Sequence, residues 1–559
     1  MKCLRPAFRY LAHISFLLAA SFPIFAVTTT EIRETQLCDR IEQIHQTRQL
    51  MVDGEAVSAT HLIPEFYDRR NYTLAWLRES SMDELVETIE ASSQEGLIPA
   101  DYHLAPLQTM LEDHRNGGLT PCERADLDIL LTDALLRIGY HYAFGKVDPR
   151  RLDGDWNLKR DISGRDPVEV MQAVIDSDSL AAFLQELAPT SPLYDEMKAA
   201  LADYRAIAAN GGWPQVPTGP TLKPGMQDER VVFIRQRLLV TDDLLNGASP
   251  DPAFFDEELE QAVIDFQVRH TLDADGIVGK STIAAMNVPA DDRIDQIRVN
   301  MERARWIYRD LPDEFIIADI AGFRAAIVND RKVTWNSAVQ VGKPFRKTPV
   351  FQDTMKYIVI NPTWTVPPTI LEKDILPKIR KDPGYLKKKN MRVIDRTGKT
   401  VDATSIDWAN TTRRNFPYMI RQDPGPNNAL GRIKFMFPNK HAIYLHDTPH
   451  KSGFKYTERA FSSGCIRVQK PVELAEILLN DPEKWSQEEI RKIIESKVTT
   501  TVKLEKQMPV YLLYWTVNSD DGIFYFKPDV YSRDAGVLAA LNGKFEFDAP
   551  DNMPDWYKN

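Results

Sequence analysis

The chain lacks an excess of positive charge, a high glycine or proline content, and any second long apolar run. Its 69 Lys and Arg stand against 80 Asp and Glu, a net charge of -11, so a general nucleic-acid binder is not expected. With 26 Gly, 36 Pro and 43% hydrophobic residues, the composition excludes a collagen, a low-complexity chain and a polytopic membrane protein. At about 150 residues per domain, the 559 residues predict three to four domains.

The one long apolar run lies at the start of the chain and has the order of a secretory signal peptide. Residues 10–26 are apolar and uncharged, and they follow three basic residues, Lys2, Arg5 and Arg9. We expect residues 1–26 to be cleaved off, and the loss of the three basic residues takes the net charge from -11 to -14. The alternative is an uncleaved N-terminal anchor, because Ile24 is not the small residue that cleavage favours. The rest of the chain is expected to work in water outside the cytoplasm.

Three cysteines remain once the signal peptide and Cys3 are removed, and an odd number in an oxidising compartment leaves at least one without a partner in the chain. Cys38 and Cys122 lie in the same N-terminal region and are the candidate disulfide. Cys465 is then left over as a free thiol, which is either an inert buried cysteine or a reactive one.

Residues 27–210 are predicted to form a helical scaffold domain. Apolar residues recur at spacings of three and four in stretches such as 82–92 and 127–142, and turn signals separate them. A linker rich in glycine and proline, which begins at Asn210, ends this domain.

Residues 222–288 are predicted to form a small domain of three helices. Two amphipathic helices are expected over 231–239 and 255–270, and a third short helix capped by Ser281 or Thr282. The segment resembles the peptidoglycan-binding domain family, through Arg235-Gln236-Arg237-Leu238, Ala262-Val263, Phe266-Gln267, and Asp275 to Gly279 with Thr282. We interpret Phe266 and Leu272 as core residues, so the resemblance indicates the fold more than a binding activity.

Residues 300–505 are predicted to form a mostly β domain, preceded by a basic helix over 292–308. Two-residue alternation predicts strands over 315–320, 323–328, 332–341, 356–360 and 442–446. The alternation breaks over about 367–418 into a helical, lysine-rich insert, read either as a solvated face or as a mobile flap over a site. Residues 506–559 are predicted to be an extension with a hairpin of 509–517 and 522–527. The fold class is therefore multidomain α+β.

The residues that carry chemistry are His446 at the end of a predicted strand and, 19 positions later, Cys465 after Gly464. A thiol attacks as the thiolate, so a nucleophilic cysteine needs a neighbouring base or cation, and an imidazole can supply one. Gly464 allows a sharp turn that directs backbone amides near Cys465 at a developing oxyanion. Arg467 offers a fixed cation for a substrate carboxylate.

His446 and the segment Ser462-Ser463-Gly464-Cys465-Ile466-Arg467 resemble the signature of the YkuD-type L,D-transpeptidases, in which cysteine is the nucleophile and histidine the base. The flanking segments 425–439 and 361–367 resemble the large YcbB-like subgroup from Gram-negative envelopes. That subgroup joins a helical scaffold, a peptidoglycan-binding module and a catalytic domain with a capping insert, which is the layout predicted above. Many members of the broader family have histidine immediately before the glycine, whereas this chain has Ser463.

The resemblance implies a periplasmic enzyme that acts on peptidoglycan tetrapeptide stems as donor and acceptor. Cys465 would attack the third residue of a stem, expel the terminal D-alanine and form a thioester, which an amine of a second stem would attack to give a 3-3 cross-link. His446 would move the protons, with its ring oriented by a backbone carbonyl. Family members are acylated by carbapenem-type β-lactams, so inhibition is expected here, and cell-wall synthases are possible partners.

Electrostatics agree with an anionic substrate, since residues 431–470 hold eight Lys and Arg against two Asp and Glu. A patch that faces the acidic scaffold is the alternative explanation of this charge. The candidate substrate-binding residues are Arg467, Ser462, Ser463, Tyr444 and Trp364. Tyr444 and Trp364 are equally open to interpretation as core residues.

No cofactor and no metal are predicted. His441, His446 and His450 cluster in sequence with Asp447, but an odd separation of five places His441 and His446 on opposite faces of one strand. Two other functions stay open: an L,D-carboxypeptidase that uses water as the acceptor of the same thioester, and a non-catalytic peptidoglycan-binding scaffold protein.

Overall fold

The computed structural model describes residues 29–162, 164–177, 179–246, 249–308, 311–520 and 523–558. The predicted signal peptide, residues 1–26, lies outside the described residues. Within these ranges, no helix combines the length and the apolar character that a membrane span requires.

The N-terminal region is helical and is built around one long central helix. Its elements are α1 (Thr29–Thr47), the hairpin β1 (Met51–Val52) and β2 (Glu55–Ala56), α2 (Leu62–Arg69), α3 (Glu79–Ala91), α4 (Leu104–Arg115), α5 (Pro121–Phe144), α6 (Pro149–Leu152), α7 (Pro167–Asp176), α8 (Leu180–Leu187) and α9 (Pro192–Ala209). A capping box fixes the start of α5, because Thr120 accepts from the Glu123 amide while the Glu123 carboxylate accepts from the Thr120 amide. Nearly all of α5 is buried, and its neighbours pack round it. The helical stretches predicted over 82–92 and 127–142 lie in α3 and α5.

The predicted disulfide between Cys38 and Cys122 is wrong, because Cys122 is a free thiol. The buried face of α1 carries Leu37, Ile41 and Ile44, and Cys38 lies one position round from it. Arg40 Nη2 instead approaches Cys122 Sγ to 3.2 Å, and Asp126 holds the same guanidinium with 2.7 Å between Nε and Oδ1.

The second region consists of α10 (Arg230–Leu239), α11 (Glu257–Arg269) and α12 (Lys280–Met286) around a core of its own. The three predicted helices are present, and Phe266 lies fully buried in the core as expected. The predicted cap of the third helix is wrong. The helix begins at Lys280, and Thr282 is buried with its hydroxyl donating to the Ile277 carbonyl at 3.3 Å.

The helix α13 (Ala290–Arg305) joins the helical region to the β domain. Arg305 Nη1 and Glu302 Oε2 form an ion pair of 2.9 Å between fully buried side chains. Arg305 Nη2 also donates to the Tyr194 hydroxyl of α9 at 2.9 Å, and Glu302 Oε1 accepts from the Val147 amide at 2.7 Å. This buried network ties the two regions together.

The elements that follow α13 are β3 (Glu314–Asp319), β4 (Arg324–Asn329), β5 (Lys332–Gly342), β6 (Phe351–Ile360), β7 (Trp364–Thr365), α14 (Pro368–Ile370), α15 (Leu376–Lys381), α16 (Tyr385–Lys388), β8 (Met391–Ile394), β9 (Thr400–Val401), β10 (Met419–Gln422), β11 (Ile433–Met436), β12 (Leu445–His446), β13 (Ala460–Ser462), β14 (Ile466–Val468), α17 (Pro471–Leu479), α18 (Gln487–Ser496) and β15 (Thr500–Leu513). The large sheet has the order β13-β5-β14-β12-β11-β6-β15-β3-β4. Since β4 also pairs with β5, the strands from β5 to β4 close into a ring. The multidomain α+β class is confirmed.

The insert folds as a small unit beside the ring. Its sheet has the order β7-β10-β8-β9, and α14 to α16 with a π-helical turn at Leu371–Ile375 pack an apolar core against it. Trp364 pairs with Gln422 in this sheet and packs on that core.

The last strand of the ring runs past the predicted boundary at 505 between the β domain and the extension. Strand β15 continues to Leu513 and pairs with β6 and β3, with a register shift between Lys503 and Met508. The exposed residues at that shift interrupt the alternation in sequence but not the strand. The hairpin itself is β16 (Val517–Asp520) with β17 (Ile523–Phe526), so residues 509–513 belong to the ring.

The last elements, α19 (Asp534–Asn542) and α20 (Asp555–Lys558), return to the helical region. Leu541 and Met553 are buried in its core, and the Tyr140 hydroxyl donates to the Asp548 carbonyl at 2.6 Å. The C-terminal segment is therefore part of the scaffold packing.

Candidate active site

The pairing of two short strands brings His446 and Cys465 to one face of the ring. β12 and β14 run parallel, with Leu445 opposite Ile466 and His446 opposite Arg467. Leu445 and Ile466 are buried in the core. Since side chains alternate along a strand, His446 and Arg467 lie on the other face, with Cys465 one step before β14 on the same side.

Cys465 ends a tight turn that three hydrogen bonds define. Gly464 has φ +121, a conformation that side chains other than glycine's rarely adopt. The Ser462 hydroxyl donates to the Cys465 carbonyl at 2.5 Å and accepts from the Gly464 amide at 3.1 Å. The Thr348 hydroxyl donates to the Gly464 carbonyl at 2.7 Å. Ser462 and Thr348 are buried and therefore hold the turn rather than meet substrate.

The turn leaves one of the backbone amides near Cys465 available as an oxyanion donor. The Gly464 amide is already bonded to Ser462, so it is not a donor to substrate. The Cys465 amide has no hydrogen-bond acceptor among the described residues. It is the amide of this turn that can stabilise an oxyanion.

The Cys465 thiol lies against Ala442 and Tyr444. Sγ donates to the Ala442 carbonyl at 3.7 Å. Burial raises the pKa of the thiol, while hydrogen bonds from Tyr444 and the charges of Lys434 and Arg467 act in the opposite direction. Tyr444 is thus a direct neighbour of the Cys465 thiol.

His446 is buried and its ring is oriented by the backbone. Nδ1 donates to the Asp447 carbonyl at 2.5 Å, so the predicted carbonyl partner is present and the free lone pair of the neutral ring is on Nε2. Burial, then the charge of Arg467, lower the pKa of His446 to about 3. The imidazole is therefore neutral at neutral pH and can accept a proton.

Asp447 fixes the segment that orients His446. Its Oδ2 accepts from the Arg432 amide at 2.8 Å, and Oδ1 accepts from Lys451 Nζ. Gly431 has φ +63, and a Cβ there would lie 2.4 Å from Asp447 Cγ, so only glycine fits. The carboxylate is occupied by these contacts and does not point at the imidazole.

Two cations flank His446 on the same face. Lys434 of β11 lies opposite His446 on one side, and Arg467 of β14 lies opposite on the other. Arg467 Nη1 donates to Gln340 Oε1 at 3.0 Å, and Lys434 Nζ lies 3.8 Å from the centre of the Tyr444 ring. Burial lowers the pKa of both cations.

Ser463 connects the catalytic turn to the insert through Arg346. Arg346 Nη1 donates to Ser463 Oγ at 2.9 Å and to Asp374 Oδ2, in the π-helical turn of the insert, at 2.7 Å. Ser463 is exposed and lies at the mouth of the site. Arg346 therefore links the insert to the residue two places before Cys465.

The remaining sequence candidates lie elsewhere. Trp364 packs in the insert core, so its predicted place as a wall beside Cys465 has no contact to support it. His441 Nδ1 lies 3.6 Å from Asp155 Oδ1 of the helical region, and its ring packs on Phe351. His441 thus faces away from His446, and the described residues contain no group that could hold a metal ion.

Sequence reasoning missed Lys434, Arg346, Thr348 and Asp374. The alternation Ile433-Lys434-Phe435 in β11 is a signal for Lys434, because it places one polar side chain on the outer face of a buried strand. The other three come close to Cys465 only through folding, from positions about 90 to 120 residues earlier in the chain.

Three family models match separate parts of this chain. Residues 61–201 match a scaffold domain, 227–286 a peptidoglycan binding domain, and 313–503 the L,D-transpeptidase catalytic domain, YkuD. The last range contains both His446 and Cys465.

A Haemophilus influenzae protein with the name "Putative L,D-transpeptidase" is 36% identical over 250 residues, which are 44% of this chain and 50% of that protein. The chain thus spans half the length of this curated relative.

Two solved structures are similar at low identity. An L,D-transpeptidase from Xylanimonas cellulosilytica is 14% identical, with 53% of this chain and 99% of that chain covered and a TM-score of 0.17. An L,D-transpeptidase from Stackebrandtia nassauensis is 14% identical, with 54% and 96% covered and a TM-score of 0.19. TM-scores of this size support no structural argument.

Proposed function

This chain carries a YkuD L,D-transpeptidase catalytic domain together with a scaffold domain and a peptidoglycan-binding domain, and on that premise we propose that it forms 3-3 cross-links between peptidoglycan stems. The reaction would proceed through a thioester on Cys465 and release the terminal D-alanine of the donor stem. The observation that carries the proposal is the parallel pairing of β12 with β14, which sets a neutral histidine and a cysteine on one face beside two cations.

In the first step, Cys465 Sγ attacks the carbonyl carbon of the third stem residue. The thiol proton passes to Nε2 of His446, and the negative charge that develops on the carbonyl oxygen meets the Cys465 amide. The bond between that carbonyl carbon and the D-alanine nitrogen then breaks. Its electron pair stays on nitrogen, which takes the proton from His446, and a thioester remains.

In the second step, the side-chain amine of a diamino acid in a neighbouring stem attacks the thioester. His446 takes a proton from the attacking amine, the carbon–sulfur bond breaks, and the electron pair returns to Sγ. Two third residues are then joined by an amide. The step needs no cofactor, since neither bond change alters an oxidation state.

The surroundings of the site suit a substrate rich in carboxylates. Lys434 and Arg467 flank the reacting groups. Arg346 at the mouth donates through Nη1 to Asp374 and Ser463, and within the described residues its Nε and Nη2 are left for a ligand. We propose Arg467, Arg346 and Tyr444 as substrate-binding residues, and Ser462 and Gly464 as residues that shape the catalytic turn. Ser463 contributes to substrate binding indirectly, because its hydroxyl accepts from Arg346 and helps to hold that guanidinium in place.

The setting of the reaction is the periplasm in this proposal. Residues 1–26 would export the chain, and the peptidoglycan-binding domain would keep the catalytic domain close to its polymer. Carbapenem-type β-lactams would acylate Cys465, and cell-wall synthases that supply new stems are the candidate partners.

The test is incubation of the mature protein with disaccharide-tetrapeptide, with chromatography and mass spectrometry of the products. Wild type and Cys122→Ser should release D-alanine and give a 3-3 dimer, whereas Cys465→Ala should give neither. A carbapenem adduct should appear on the intact protein and be lost only with Cys465.

Other outcomes assign a different function. Release of D-alanine with tripeptide alone would show that water is the acceptor, which makes the protein an L,D-carboxypeptidase. No adduct and no turnover in a folded sample would refute catalysis and leave a peptidoglycan-binding scaffold protein.

A further inference from the structure

The cations beside His446 have no carboxylate partner in the part of the chain that the structure describes. Lys434 contacts the ring of Tyr444, and Arg467 donates to the neutral amide of Gln340. Both side chains are only partly exposed, so each gives up part of its hydration without an ion pair in return. A buried cation of this kind indicates that an anion belongs to the working state of the site.

The thiol of Cys465 is an acidic group on the same face of the ring as both cations. The charge of Cys465 is the one electrostatic interaction that acts on Lys434 and on Arg467 in favour of their charged forms. The Asp447 carboxylate, which follows His446 in the chain, already accepts from Lys451 and from the Arg432 amide. Burial raises the pKa of the Tyr444 phenol, so Tyr444 is neutral at neutral pH.

His446 cannot serve as the counter-ion because it lies between the two cations. Lys434 and Arg467 are its direct neighbours across β11 and β14, and both disfavour a third positive charge. The groups that favour the charged ring are backbone carbonyls, those of Asp447 and Leu430. Charge on the imidazole is therefore opposed from both sides of its strand.

We propose that Lys434 is a positioning residue for the nucleophile: with Arg467 it is the counter-ion of the Cys465 thiolate, in place of a His446 imidazolium. Forming the thiolate is a proton transfer alone. The S–H bond breaks, the electron pair stays on Sγ, and the proton passes by way of neutral His446 to water, from which His446 takes up a proton again when the D-alanine nitrogen leaves. Lys434 acts across the face of Tyr444, whose ring it contacts and whose pKa is raised by burial and then by the charge of Cys465.

The purpose of this ion pair rests on the proposed function, but the ion pair itself is measurable without peptidoglycan. The pH dependence of Cys465 alkylation by neutral iodoacetamide reports the thiolate population, and peptide mass spectrometry separates Cys465 from Cys122, a second free thiol that serves as internal reference. Iodoacetate, an anion, reports the local positive charge.

Lys434→Met keeps much of the side-chain length and removes the charge, whereas Lys434→Arg keeps the charge. We expect Lys434→Met to slow alkylation of Cys465 at pH 7 by about tenfold, which corresponds to one pKa unit, and to slow iodoacetate more than iodoacetamide. Lys434→Arg should stay within about twofold of wild type. Lys455→Met, at an exposed lysine of the same domain, is the matched control and should change neither rate.

Three results would overturn the proposal. The first is an unchanged pH profile in Lys434→Met. The second is an equal loss in Lys434→Arg, which would show that shape and not charge matters. The third is a larger upward shift of the Cys465 pKa in His446→Gln than in Lys434→Met, which would make the imidazolium the counter-ion. If the variants show the expected alkylation rates but the protein fails the cross-linking assay, the proposed function is refuted and the ion pair is not.

Discussion

Replacing Thr348 with valine should loosen the catalytic turn without changing its volume. The Thr348 hydroxyl is fully buried and joins two segments: it donates to the Gly464 carbonyl at 2.7 Å and accepts from the Gly342 amide at 2.9 Å. Thr348→Val removes both bonds and leaves a buried carbonyl and a buried amide without partners. Each costs about 1–3 kcal/mol, so the free energy of unfolding of the β domain should fall by roughly 2–6 kcal/mol.

The same change should slow the chemistry, because the carbonyl that Thr348 holds belongs to the residue before Cys465. A displacement of the nucleophile by about 1 Å can cost on the order of a hundredfold in rate. We expect the rate of carbapenem acylation to fall by one to two orders of magnitude and the Tm by about 5–15 °C. Thr348→Ser keeps the hydroxyl and should recover most of the acylation rate and most of the Tm.

The measurements are thermal unfolding and the second-order acylation rate of the three proteins. If Thr348→Val melts within about 1 °C of wild type and acylates at the same rate, the hydroxyl does not hold the turn and the reasoning fails. A loss of stability without a loss of rate would separate the two roles and refute the catalytic one.

Three further outcomes are expected. Asp374→Asn breaks the ion pair between the insert and Arg346. Because both side chains are partly exposed, the free energy of unfolding should change by less than about 1 kcal/mol. Hydrogen–deuterium exchange in the insert should rise, and unchanged exchange would show that other contacts hold the insert. The depressed pKa of His446 means that the unfolded state binds the extra proton between about pH 6.5 and about 3. Stability is therefore full above pH 6.5 and falls as the pH drops through that window, and urea unfolding of His446→Gln should show a smaller fall than wild type. Arg305→Met leaves Glu302 as an unpaired buried charge and should lower the free energy of unfolding, measured with urea, by about 3–5 kcal/mol. No change would show that the ion pair is dispensable.

Local pattern was sufficient for the helices. The apolar spacing of 231–239 and of 255–270 predicted α10 and α11 to within two residues at each end. Cys465 and His446 were chosen as candidates from their chemistry, their spacing and the family resemblance, and the pairing of β12 with β14 brings them to one face. These features depend on residues close together in sequence.

The sequence predictions were wrong where side-chain hydrogen bonds or distant segments determine the backbone conformation. A strand was predicted over 442–446, but the Asn439 amide donates to the Ile443 carbonyl at 2.7 Å and Ala442 has φ +54, so only Leu445–His446 forms a strand. The Cys38 pairing failed because Arg40 of α1, and not Cys38, approaches Cys122. Both results depend on contacts that periodicity does not encode.

The serine that replaces the histidine seen before the glycine in many relatives has a structural consequence of its own. Ser463 accepts from Arg346, and the same Nη1 donates to Asp374 of the insert. The insert is thus joined to the catalytic turn by one guanidinium rather than resting on a distant surface. In the proposed reaction the choice between an amine and water depends on how well the thioester is shielded, so a link between the insert and the turn would give this chain a physical means of setting that choice. Ser463, a departure from the family pattern in the sequence, is therefore the point at which the insert is coupled to the turn that carries Cys465.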